Sequence, residues 1–205
     1  VNITSSYSGA DVNNYNITDQ TSTTANISAK ALTATASASN KVYDGSSAAT
    51  STLTLSGFVG SETVTSTNSS TFNNKNAGTG KTVTVNSITL ANGSNGGLAA
   101  NYSINTGQTT TANVTAKALT VSGITASNKV YDSTTNATTV LSFSGLIGSE
   151  TINNTNSSTF DNKNIGTGKT VTVNSLTLVD GSNGGLASNY SISSGQTTTA
   201  NVSAR

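Results

Sequence analysis

Apolar residues along this chain alternate with Thr, Ser and Asn at every second position. Leu32, Ala34, Ala36 and Ala38 fall on one face of an extended run. Leu53 and Leu55 share a face further on, and Val64 and Phe72 mark two shorter strands. Tyr102 with Ile104, then Ala112, Val114 and Ala116, complete the pattern. A period of two puts successive side chains on opposite faces of a strand, so each run predicts a strand with one buried face. One change of phase interrupts this: Val83 and Val85 are odd-numbered, Ile88 and Leu90 even-numbered. A slip of one residue turns the apolar set to the other face, so a β-bulge or strand break is predicted at Asn86-Ser87, and again at Asn174-Ser175. Gly57 and Gly60 bracket a turn around Phe58-Val59, and Ala91 to Gly97 reads as a turn with Asn92-Gly93 as a hairpin signal. About seven short strands result, as in a small β-sandwich or β-grasp-like domain.

The whole pattern occurs twice. Tyr43-Asp44 returns as Tyr131-Asp132, Gly60-Ser61-Glu62 as Gly148-Ser149-Glu150, and Asn101-Tyr102 as Asn189-Tyr190, each 88 positions on. Such a unit is too long for one rung of a β-helix and is the size of a small domain. A partial third copy opens the chain: Asn14-Tyr15-Asn16-Ile17 and Ala25-Asn26-Ile27 match Asn101-Tyr102-Ser103-Ile104 and Ala112-Asn113-Val114 at an offset of 87. One extra residue must then enter later, within Val121 to Gly123. The expected organisation is residues 1–29 as the tail of a preceding repeat, 30–116 as repeat 1 and 117–205 as repeat 2. Thr109 to Thr120 reads as nearly continuous strand with no flexible linker, so the two units are expected to join stiffly. Each would bury only about fifteen medium apolar side chains, which offsets chain entropy narrowly, so contacts between neighbouring repeats are expected to matter. The fold class is all-β, in small domains joined end to end in an elongated array.

Composition sharpens the picture. Charged residues are 8% of the chain, its net charge is +1, and it lacks His, Cys, Met, Pro and Trp. The few cations are scattered, which argues against nucleic acid as a partner. Without His or Cys the soft ligands for zinc or copper and the usual neutral-pH general base are missing. No cofactor is expected, and no nucleophile–base–orienter set can be assembled, so the chain does not read as an enzyme. No apolar stretch approaches a membrane span, and no signal peptide is visible. We read the chain as a piece of a longer exported protein whose export signal and anchor lie elsewhere.

Several motifs line up with one family. Lys41-Val42-Tyr43-Asp44-Gly45, Leu55-Ser56-Gly57-Phe58-Val59-Gly60-Ser61-Glu62, Asn76-Ala77-Gly78-Thr79-Gly80-Lys81 and Asn101-Tyr102 resemble the YDG-type repeat of large bacterial surface exoproteins of the filamentous-haemagglutinin kind. Repeat 2 carries the same positions at Tyr131, Asp132, Gly145, Gly148, Gly166, Gly168 and Tyr190, but Ser133 stands where Gly45 does. If Gly45 has positive φ, Ser133 must adopt that strain or change the turn. The resemblance implies β-rich stalk modules on secreted adhesins and gives these residues a structural role.

Other readings of the same residues compete. Gly78-Thr79-Gly80-Lys81-Thr82 has part of a phosphate-loop pattern, but Lys75 occupies the place of the leading Gly and strand follows rather than helix. A β-turn with an exposed lysine is the simpler account. Asp44 and Glu62 suggest paired carboxylates or calcium, against a turn-capping Asp and a surface Glu. Lys, Asn and an acid buried together could form an isopeptide cross-link. Sequons such as Asn26, Asn68, Asn101, Asn113 and Asn189 follow from composition, and Tyr43, Tyr102 and Phe72 read as core or corner residues rather than a sugar platform. The functional expectation is a monomeric stalk or spacer of a secreted or cell-surface bacterial adhesin. Its distal parts would meet polysaccharide, host-cell glycan or protein in adhesion or biofilm formation. The alternative is repeats that grip glycan weakly and gain by avidity.

Overall fold

A computed structural model describes residues 1–19 and 22–205. It is all-β, with two similar domains in tandem. Repeat 1 holds nine strands: β1 (Lys30–Ala31), β2 (Thr33–Ala38), β3 (Lys41–Val42), β4 (Ala48–Ala49), β5 (Ser51–Ser56), β6 (Val64–Phe72), β7 (Gly78–Asn92), β8 (Tyr102–Ser103) and β9 (Thr109–Thr115). Repeat 2 follows the same order with β10 (Lys117–Ala118), β11 (Thr120–Ala126), β12 (Lys129–Val130), β13 (Asn136–Ala137), β14 (Thr139–Ser144), β15 (Ile152–Phe160), β16 (Gly166–Asp180), β17 (Tyr190–Ser191) and β18 (Thr197–Ser203). In each, a five-stranded sheet (β3-β9-β7-β6-β4 or β12-β18-β16-β15-β13) is joined by an antiparallel pair (β2-β5 or β11-β14) and a short parallel pair (β1-β8 or β10-β17).

Alternation explains the pairings. In β2-β5, Ala34 faces Leu55 and Ala36 faces Leu53, while Thr33 with Ser56 and Ser37 with Thr52 share hydroxyl hydrogen bonds of 2.7 Å on the other face. Small-against-large pairs fill one side of the ladder, and hydroxyl pairs satisfy the wet side. Val64 and Phe72 turn out to be the two ends of one strand, β6, not two strands. A long partner makes this possible, since β7 runs 15 residues, or about 50 Å.

The phase switch in β7 is a bulge. Ser69 pairs with Ser87 and Ser70 with Val85, leaving Asn86 unpaired; Asn174 is skipped in the same way in repeat 2. Before the bulge, Val83 packs with Phe72, Ala112, Val114 and Tyr43. After it, Leu90 packs with Leu32, Val64 and Tyr102. One strand thus serves two separate cores, one at the entry end of the repeat and one at its exit end. The residue inserted in repeat 2 is absorbed the same way, because Val121 pairs with Phe143 and Gly123 with Ser142, leaving Ser122 as a bulge.

Ala91 to Gly97 is a turn, but not a hairpin between neighbouring strands. Gly93 N donates to Gly97 O at 3.0 Å, and the chain then passes a 3₁₀ turn (Ala99–Asn101) before β8 joins β1. That 3₁₀ turn recurs at Ala187–Asn189 and, in the partial copy, at Val12–Asn14. Residues 1–29 keep this local turn, but Tyr15 and Ile27 are exposed. Their counterparts Tyr102 and Val114 are buried, on strands paired with β1, β3 and β7.

The accessible surface is 12268 Å², against about 8,800 Å² for a compact globule of this mass. The excess reflects two slim bodies in series and an exposed leading segment. Among the described residues, no helix is long and apolar enough to cross a membrane.

Candidate functional site: the junction between the repeats

Only Ala116 separates β9 of repeat 1 from β10 of repeat 2. The extended run read from Thr109 to Thr120 is therefore present, broken into three strands that pair in different sheets. Across this joint the exit core of repeat 1 merges with the entry core of repeat 2. Tyr43, Phe72, Val83, Ala112 and Val114 form one cluster with Leu119, Ile152 and Tyr190. Each repeat was expected to close its own single core. Instead its apolar side chains divide between two ends: at the joint the facing ends merge into one cluster across the two repeats, while the outer ends form smaller clusters of their own.

A carboxylate sits in the middle of this cluster. Glu150, 7% exposed, accepts hydrogen bonds from Tyr43 Oη at 2.7 Å and Tyr190 Oη at 2.6 Å. Lys75 Nζ reaches it from repeat 1 at 3.1 Å. The two tyrosine rings meet edge to face, centroids 5.5 Å apart. Beside them, Asn189, fully buried, accepts from Ala77 N at 2.8 Å and donates to Asn76 Oδ1 at 3.2 Å. A buried charge costs heavily unless paired and fully hydrogen-bonded, and here three donors from two repeats meet that need.

Burial pushes the Glu150 carboxyl up, but the bonds from Tyr190, Tyr43 and Lys75 outweigh it and hold it below the ordinary carboxylate value. Burial, then the hydrogen bond to Glu150, pushes the Tyr190 phenol up to about 12 and raises Tyr43 as well. A depressed carboxyl stabilises the joint above its unfolded value and loses that contribution as pH falls through its folded value. A raised phenol stabilises it below about pH 10 and loses that contribution as pH climbs towards 12. The thermal midpoint is expected to be flat between about pH 5 and 9 and to fall on both sides, the alkaline fall tracking a delayed phenolate absorbance. An alkaline limb following the ordinary tyrosine titration would contradict the Glu150–tyrosine bonding.

The sequence-singled residues divide between the two ends. At the exit end, Tyr43 enters the joint and Asp44 closes its turn, accepting Ser46 N at 2.9 Å and Lys41 Nζ at 2.8 Å. Tyr131 and Asp132 occupy the same corner of repeat 2, where Lys129 and then Thr134 hold Asp132 down to about 2. Gly78 and Gly80, with Gly166 and Gly168, begin the long strands β7 and β16 there. At the entry end lie Gly57, Gly60 and Tyr102, and likewise Gly145, Gly148 and Tyr190, the tyrosine hydroxyl accepting Val59 N or Ile147 N. Asp44 and Glu62 are thus at opposite ends, and among the described residues no three acidic side chains gather. Tyr43, Tyr102 and Phe72 are all buried, so these three form no exposed aromatic platform.

Two readings need correction. Lys81 is not an exposed turn lysine. It is 9% exposed, lies over Gly78 and donates to Asn74 Oδ1 at 2.5 Å, and burial lowers its pKa. Glu150, the counterpart of the surface-assigned Glu62, is the centre of the joint. The Lys–Asn–acid trio is present as Lys169, Asn162 and Asp161, with contacts of 2.5 and 2.9 Å. Lys169 holds the Asp161 carboxyl below the ordinary carboxylate value. Repeat 1 has Asn73 in place of Asp161 and so lacks the acid, while in repeat 2 the acid is 47% exposed rather than buried.

Gly45 explains the departure at Ser133. Both are left-handed, φ +78° and +66°. A Cβ on Gly45 would stand 2.8 Å from Ile147 Cγ2 across the joint, whereas Ser133 is exposed. Gly45→Ser is expected to cost about 2 kcal/mol in urea denaturation, from backbone strain plus the clash. Ser133→Gly should shift stability by less than about 1 kcal/mol.

Sequence reading did not find the joint, because nothing within one repeat says that Glu150 and Tyr43 meet. The available signal was one Glu per unit, a fixed distance from a repeated tyrosine. Neither a curated protein nor a solved structure matches the chain. The YDG domain matches twice, over residues 28–112 and 115–200, most of the chain, and the chain therefore belongs to the YDG domain family.

Proposed function

We propose that these repeats are a stiff, non-enzymatic spacer: stalk modules of a secreted or cell-surface bacterial adhesin that hold a binding region at a distance. The observation that carries this reading is the joint itself. A single residue links the sheets, a continuous core crosses the boundary, and the Glu150 knot fixes orientation by directional bonds. Near-duplicate units suit a part that needs length more than variety. Export is supported by the thiol-free, weakly charged, hydroxyl-rich composition.

Solution scattering tests it. Two strands of about 50 Å in series give a radius of gyration above about 25 Å, against about 17 Å for a compact globule of this length. A value near the smaller figure, or a profile showing two bodies swivelling freely, removes the stiff-arm reading.

A further inference from the structure

The loop that leaves the long strand of each repeat holds two steps into glycine, and the two are held differently. In repeat 1 they are Asn92-Gly93 and Asn95-Gly96; in repeat 2, Asp180-Gly181 and Asn183-Gly184. The first step is locked. Gly93 N donates to Gly97 O at 3.0 Å, Asn92 Oδ1 accepts Ala99 N at 2.8 Å, and a Cβ on Gly93 would stand 2.1 Å from Thr63 O. Asn92 accepts through its oxygen, and Asp180 fills the same role for Ala187 N at 2.7 Å. The second step is open. Asn95 and Asn183 are exposed, both left-handed at φ +56°, and each precedes a glycine at φ +86°. Among the described residues, neither Gly96 N nor Gly184 N donates to an acceptor. Here the side-chain nitrogen does the holding: Asn95 Nδ2 donates to Ser61 O at 2.8 Å, and Asn183 Nδ2 to Ser149 O at 3.0 Å. The turn of repeat 2 also rests on the joint, since a Cβ on Gly184 would lie 3.8 Å from Lys75 Nζ and 4.0 Å from Glu150 Oε1.

From this difference we propose that Asn95 and Asn183 are sites of spontaneous deamidation, and that conversion of Asn183 loosens the joint. The Gly184 amide nitrogen attacks Cγ of Asn183. Its proton passes to the side-chain nitrogen, which leaves as ammonia, and a cyclic imide remains. Solvent water then opens the imide at either carbonyl, giving aspartate or a β-linked isoaspartate whose main chain is longer by the Cβ atom. Ring closure needs the backbone to swing the glycine nitrogen towards Cγ. A glycine with no side chain and a free N–H permits this, while the bonds and contacts on Gly93 resist it. Aspartate at 183 puts an oxygen where Nδ2 was, against the Ser149 carbonyl, so acceptor meets acceptor. Its charge also competes with Glu150 for Lys75. Isoaspartate disturbs the course of the turn as well. Conversion at Asn92 costs far less, because that position uses only an acceptor, and Asp180 already supplies one in repeat 2.

Peptide mapping by mass spectrometry, on the whole chain aged warm but folded at mildly alkaline pH, tests this. Asn95 and Asn183 are expected to gain about one dalton and to yield isoaspartate roughly tenfold faster than Asn92. In urea, where the fold is lost, Asn92 should catch up. Asn183→Asp should lower the thermal midpoint by about 3 °C and Asn92→Asp by less than about 1 °C. The Asn183→Asp loss should roughly halve beside Glu150→Gln, where no carboxylate is left to compete for Lys75. Asn92 converting as fast as Asn183 in the folded chain, or Asn183 staying intact while the urea-unfolded chain converts, overturns the site. Equal midpoint shifts for the two aspartates, or an undiminished loss beside Glu150→Gln, overturns its link to the joint. The inference uses the joint and not the spacer reading, so a chain that ages at Asn92 and Asn183 alike sinks this one and leaves that one standing.

Discussion

Glu150→Ala is expected to lower the unfolding free energy of the chain by about 3 kcal/mol, while Glu62→Ala at the matching position costs about 1 kcal/mol. The side chains are identical and their intra-repeat partners equivalent, since Tyr190 and Tyr102 each donate at 2.6 Å. The difference lies across the joint. Removing Glu150 leaves the Tyr43 hydroxyl without an acceptor in a sealed cluster and releases Lys75. Lys75 is 41% exposed, so water recovers most of its charge and the phenols carry the cost. Scattering on Glu150→Ala should also show the two repeats losing their fixed orientation. Equal costs at the two positions would mean that the joint contributes nothing beyond each repeat.

Tyr43→Ala is expected to cost about 4 kcal/mol and Tyr131→Ala about 2 kcal/mol, read from urea denaturation with intrinsic fluorescence and circular dichroism. Both tyrosines open the same motif and precede an Asp held by a lysine three residues before the tyrosine–acid pair ends. Tyr43 is 1% exposed and packs on Tyr190, whereas Tyr131 only borders the cluster of Phe160, Val171, Ala200 and Val202. The cavity left by Tyr43 would open inside a core built by two repeats, so the unfolding transition should broaden or split as their cooperativity fails. Tyr43→Phe isolates the hydroxyl and should recover most of the loss.

Much of the fold was legible because period-two patterning is local. The bulge at Asn86 followed from the parity of Val85 and Ile88, while the mismatch of 87 and 88 between copies located only an inserted residue within Val121 to Gly123, which the structure absorbs as a bulge at Ser122. Strain at Ser133 followed from one substitution in a motif. Elements set by distant partners were less legible. The middle of β6, polar from Thr65 to Thr71, is strand because β7 lies beside it. The inward turn of Lys81 depends on Asn74 seven residues earlier. The division of the core into two ends was out of reach, since apolar periodicity says which face is buried and not against what. Glu150 looked like a surface acid for the same reason. Its environment is supplied by residues 75 and 107 positions away.

The parallel pairs at the edges carry a last consequence. In each repeat the first strands to enter, β1 and β3, run parallel to the last to leave, β8 and β9. Tension applied along the chain drags such partners past one another in opposite directions, so their hydrogen bonds are loaded together in shear rather than peeled one by one. The arrangement resists extension most strongly along the axis on which the repeats are strung, and a repeat yields only when its whole ladder slips at once.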